Sequence, residues 1–114
     1  MNIRGFMKAL AVQTTSKETR RAYEQDLEKY QAFLRLKGLR VTQATPSTIQ
    51  AFIAYLTEQR GAPLAPATVV RRLAVISAFY EFLGEQSNGT ISNPVKRVRR
   101  PKVDNDRPRA VSDD

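Results

Sequence analysis

The chain has 114 residues, one domain's worth, with 41% hydrophobic and 26% charged residues, a globular rather than a disordered mixture. It contains neither cysteine nor histidine, which removes disulfides, thiolate chemistry and the usual agent of general acid–base catalysis, and would leave a zinc site to carboxylates alone. Nineteen Lys and Arg against eleven Asp and Glu give a net charge of +8, a balance that favours phosphate polymers or anionic surfaces as partners.

The first helical segment is carried by Ile3, Phe6, Met7 and Leu10, spaced as one face of a helix, although Gly5 weakens it. The second begins at Thr15, which pairs with Glu18 as a capping box, and stops at Gly38. Its stripe is Tyr23, Leu27, Tyr30 and Leu34, with Glu24, Asp26, Glu28 and Lys29 assigned to the solvated side. The third runs from Pro46 to Arg60, with Thr45 as N-cap, Gly61 as the stop, and Ile49, Phe52, Ile53 and Leu56 facing inward. The fourth opens at Pro66 and ends near Gly84, burying Val69, Leu73, Ile76, Tyr80 and Leu83. A short fifth turn starts at Asn93 and Pro94. These segments predict an all-α, compact four- to five-helix bundle with a single core.

After Val95 the composition changes. Residues 96 to 109 hold seven basic and two acidic residues, two prolines and little to bury. The division is therefore a helical domain over 1–95 and a basic linker over 96–114. The closing "AVSDD" reads as the cap of a further helix. No apolar run approaches the roughly 20 residues of a membrane span, and the N-terminal "MNIRGFMKALAVQ" leads into no cleavage site. The expectation is a soluble, cytoplasmic protein without metal or cofactor.

Two helix starts carry charges that stability does not ask for. Arg71 and Arg72 lie in the second turn of the fourth helix, where the macrodipole disfavours cations. Thr68, Arg71, Arg72 and Val75 share one strip, displaced from the core stripe, so the arginines need not enter the core. Ser16, Lys17, Thr19, Arg20 and Arg21 crowd the start of the second helix. Free backbone N–H groups with hydroxyl and guanidinium neighbours suit a nucleic-acid backbone. The same residues also read as ordinary solvated surface, with Ser and Thr serving only as caps.

The order of these motifs resembles the N-terminal core-binding domain of tyrosine recombinases, the phage-integrase family. The resemblance rests on Ser16-x-x-Thr19-x-x-x-Tyr23, on Thr68 followed by Arg71–Arg72–Leu73, and on Asn93–Pro94 before a basic linker. It covers about residues 6 to 112 and implies a SAM-like helical bundle forming one jaw of a clamp around double-stranded DNA. The implied contact set is Ser16, Lys17, Thr19, Arg20 and Arg21 with Thr68, Arg71 and Arg72. Lys96, Arg97, Arg99, Arg100 and Lys102 resemble the interdomain linker. The family's catalytic half, with its tyrosine nucleophile, is absent from this sequence, and Tyr23, Tyr30, Tyr55 and Tyr80 fall on or beside core stripes. The chain is thus expected to bind DNA without cutting it, to be monomeric alone, and to meet other recombinase protomers through its N-terminal helix. Two other readings stay open: a helical protein-interaction module, and a helix-turn-helix regulator built from residues 46–60 and 66–84, whose "GAPLA" join is long for that motif.

Overall fold

A computed structural model describes residues 3–13 and 16–101. Four helices form in chain order: α1 (Ile3–Gln13), α2 (Lys17–Leu36), α3 (Pro46–Arg60) and α4 (Pro66–Gln86). Short 3₁₀ turns occupy Val41–Gln43 and Pro94–Arg97. No strand occurs among the described residues, so the all-α expectation holds and the fifth element is a 3₁₀ turn.

The local signals act where backbone chemistry demands them. Thr45 accepts from the Thr48 N–H at 3.3 Å with Pro46 in the first turn of α3. Gly61 closes that helix at φ 80°, a left-handed conformation that favours glycine. Replacing Gly61 with Ala should lower stability by about 1 kcal/mol, read in a thermal melt, because nothing else crowds the site. Two expected ends move. Ser16, not Thr15, caps α2, accepting from the Thr19 N–H at 3.2 Å; Thr15 lies outside the described residues. Helix α4 runs through Gly84 to Gln86, because the left-handed positions are Asn88 (φ 57°) and Gly89 (φ 85°). Gly84 instead makes room for a close approach. A Cβ there would stand 3.2 Å from the Ile91 carbonyl, where the chain folds back over α4.

The core is one cluster drawn from all four helices and the last turn. Phe6 of α1 meets Phe79 and Phe82 of α4 edge to face, with centroids 5.6 and 5.7 Å apart. Helices α2 and α3 join through Tyr30 and Phe33 against Phe52, at 5.2 and 5.4 Å. The expected stripes face the core, with Ile3, Met7, Tyr23, Ile53 and Val69 only partly buried at its edge, and the buried set also takes in Phe33, Val75 and Phe79.

Two of the core aromatics are also polar. The Tyr80 hydroxyl donates to the Val41 carbonyl at 2.7 Å and lies 2.7 Å from the Tyr30 hydroxyl. A phenol has one hydrogen, so Tyr30 must be the donor to Tyr80. Burial pushes the Tyr80 phenol up to about 12 from its ordinary 10. Burial, then the neighbouring Tyr80, pushes Tyr30 higher still. Since both groups hold their protons more tightly when folded, their contribution is complete below pH ~10 and is lost as pH rises through the folded values. Stability measured against pH should therefore fall from about pH 10 upward, and a Tyr80→Phe variant should show a weaker fall. That variant should also lose about 2 kcal/mol at neutral pH, because Val41 O and Tyr30 are left without their partner.

Packing continues past the expected domain boundary at Val95. Val95 is fully buried and Val98 is 6% exposed, with the Pro94–Arg97 turn resting on α3 and α4. The expectation of little to bury after Val95 is corrected by Val98. The reason is its spacing: three residues of 3₁₀ geometry bring Val98 back to the side that Val95 faces.

Candidate nucleic-acid interface

The two arginines of α4 are explained by a residue on α2. Asp26, assigned by sequence to the solvated side, is buried. Its Oδ2 accepts from Arg71 Nη1 at 2.6 Å, and its Oδ1 from Arg72 Nη1 at 2.8 Å. The strip Thr68–Arg71–Arg72–Val75 thus faces α2, with Val75 1% exposed, which corrects the expectation that it stands clear of the core. The pair divides in burial. The Arg72 side chain is 14% exposed, and the Arg71 side chain 46%. Arg72 Nε is buried without an acceptor. Arg71, by contrast, is the more open of the two and keeps its Nε and Nη2 without an acceptor among the described residues.

At the start of α2, Lys17, Thr19 and Arg21 are exposed, while Ser16 and Arg20 are half-buried. Ser16 is engaged as the cap. These residues fan around the helix. Thr19 is two turns before Asp26 and lies on nearly the same side, whereas Lys17, Arg20 and Arg21 lie about 120° or more away at 100° per residue. Lys17, Arg20 and Arg21 instead border a shallow depression of about 280 Å³ with Glu24 of the same helix and Met7 and Ala11 of α1. The structure therefore gathers Thr19, Asp26, Arg71 and Arg72 on one side of α2, and Lys17, Arg20 and Arg21 on another.

The basic segment after α4 is anchored by Asn93. Its Oδ1 accepts from the Val95 N–H at 2.9 Å, and its Nδ2 donates to Ser77 Oγ and Glu81 Oε2, both at 2.9 Å. Lys96 lies 3.3 Å from Glu81. The Asn93 amide first, then Lys96, holds the Glu81 carboxyl below the usual range. Arg97, Arg99 and Arg100 are exposed and form no ion pair among the described residues. Lys102 lies outside the described residues. Replacing Asn93 with Ala should cost about 1–2 kcal/mol by thermal melt, since it removes both the cap and the tie to α4.

Sequence reasoning missed Asp26 because it is off the Tyr23–Leu27–Tyr30–Leu34 stripe. A second spacing was available: Asp26, Tyr30 and Phe33 also stand at i, i+4, i+7. The phenols of Tyr30 and Tyr80 are sealed in the core. The apolar face of α1 is covered too, Phe6 and Leu10 being buried against α2 and α4. Among the described residues no helix is long and apolar enough to cross a membrane.

The amino-acid sequence that builds this bundle has matches among known proteins. The chain matches the family described as "Phage integrase, N-terminal SAM-like domain" over residues 3–87, and it belongs to that family. It is similar to a protein named tyrosine recombinase XerC from Roseiflexus castenholzii, 34% identical over 96% of this chain and 34% of the relative. A tyrosine recombinase XerD from Caulobacter vibrioides is 32% identical over 96% of this chain and 35% of its own length. The chain thus spans about a third of the length of the curated relatives it matches. No solved structure matches it significantly.

Proposed function

We propose that this chain is the non-catalytic, double-stranded DNA-binding lobe of a site-specific tyrosine recombinase, serving DNA integration and recombination. The observation that carries the reading is a set of exposed cations that form no ion pair among the described residues: Arg21 at the start of α2, and Arg97, Arg99 and Arg100 beyond α4. Cations that answer no acid of the fold suit an external polyanion. The fan of Lys17, Thr19, Arg20 and Arg21 suits a helix that enters a groove by its end, because phosphates then lie on more than one side of its first turns. Thr68 and the Asp26–Arg71–Arg72 cluster flank the same helix. Arg72, largely enclosed, supports the site from behind rather than as a contact. Where other protomers meet this lobe through α1, the outward Arg4, Lys8 and Val12 are available, the apolar face being used internally.

The test is a fluorescence-anisotropy titration of a short duplex at several salt concentrations. Engagement of about 5 phosphates gives a slope of log K against log salt of about −4 to −5. No duplex binding at low salt would overturn the DNA reading and favour a helical protein-interaction module. The helix-turn-helix alternative has less support, because α4 gives six side chains to the core, from Leu73 to Leu83, leaving few for a groove.

A further inference from the structure

Asp26 is the only charged side chain among the buried residues described, and it sits between Arg71, which belongs to the proposed DNA surface, and the enclosed Arg72 behind it. A carboxylate there repels phosphate, so a surface built for DNA affinity alone would omit it. What it supplies is geometry. By holding Arg71 at Nη1, it leaves Nε and Nη2 of the same planar group without an acceptor among the described residues, in a side chain that is 46% exposed. The Nε–Nη2 edge presents two parallel N–H donors, the pattern that meets guanine O6 and N7 in the major groove. A long side chain that is already held loses less freedom on binding than a free one.

We propose that Asp26 is a positioning residue that fixes Arg71 as the base-reading arginine of this domain, while Arg72 is the counter-ion that keeps Asp26 in place. The inference rests on the DNA-binding reading above and assigns its specificity to one side chain. It makes affinity and selectivity move in opposite directions. Asp26→Asn removes a negative charge, so affinity for bulk duplex should rise modestly. The same change releases Arg71, so preference among sequences should fall.

The experiment uses the full chain and a short duplex pool with a randomised centre, sequenced before and after capture, beside anisotropy on an unselected duplex. The native chain should enrich guanine at a defined position, and Arg71→Ala should flatten that enrichment about tenfold. Asp26→Asn should flatten the same position by a similar factor without weakening bulk binding, and the double variant should be no flatter than Arg71→Ala. A thermal melt shows whether Asp26→Asn is folded at the assay temperature. If it is not, Asp26→Glu, which keeps the charge but moves the carboxylate outward, takes its place and should flatten the same position. Side-chain NMR of the Arg71 guanidinium should show restricted rotation in the free native chain and fast rotation in the Asp26 variant. Retained enrichment in a folded Asp26 variant overturns the inference, as does duplex binding by the native chain with no base preference. Absence of all duplex binding overturns the proposed function itself.

Discussion

Replacing Lys96, Arg97, Arg99 and Arg100 together with alanine should weaken binding to every duplex by about a hundredfold near physiological salt and make the salt slope shallower by about 3. The size follows from the environment of these side chains. Arg97, Arg99 and Arg100 are exposed and form no ion pair among the described residues, so each can replace a counter-ion on a phosphate. Lys96 contributes less, since it is shared with Glu81 at 3.3 Å. The fold should survive, because the buried anchors of this segment are Pro94, Val95 and Val98, which the substitutions leave alone. Circular dichroism checks that point, and anisotropy across a salt series reads the effect. Loss confined to one preferred sequence, with the slope unchanged, would show that these residues read bases and do not neutralise the backbone. Unchanged binding and slope would remove the basic exit from the interface.

Asp26→Ala should be the most destabilising single substitution outside the apolar core, costing about 3 kcal/mol and lowering Tm by about 12 °C or more. Its removal strands Arg72, whose side chain is 14% exposed, and an enclosed guanidinium without a counter-ion is far costlier than the ion pair is favourable. The sign of the pair's own contribution is a separate matter. Taking the carboxylate out of water opposes the attraction to two cations, so an apolar substitute can be as stable. The double variant Asp26→Ala/Arg72→Met should accordingly recover most of the loss. If it melts as low as Asp26→Ala alone, the stability came from the specific hydrogen bonds and not from avoiding a stranded charge.

These two regions also mark what could be read from the chain. The caps at Thr45–Pro46, Gly61, Pro66 and Asn93–Pro94 were legible because each is decided within three or four residues, by a missing N–H, a left-handed φ or a side-chain acceptor. The core stripes were legible for the same reason: period alone places Leu27, Tyr30, Ile49, Phe52, Leu73 and Ile76. Asp26 was not, because a carboxylate goes inside only when partners arrive from elsewhere, here 45 and 46 positions later. Arg71 and Arg72 stand out as unusual for their helix, yet the sequence offers only an external anion or plain solvent as what they face. The structure adds an internal anion. The angular separation of Arg20 and Arg21 from Asp26 follows from helical spacing alone, but spacing says nothing of which neighbour each face meets, so the presence of α4 on the Asp26 side was hidden. Val98 escaped because the basic residues around it dominate the composition, and a single valine carries no period.

The buried valine at position 98 has a mechanical consequence. A basic arm rooted in solvent would sweep a wide volume and would have to be stilled each time it lay along a polyanion. Here the root is locked against two helices, so Arg99 and Arg100 leave the body along one heading. On the DNA-binding reading proposed above, they would meet a duplex as part of a preset contour, with their charge delivered at a fixed bearing from the bundle.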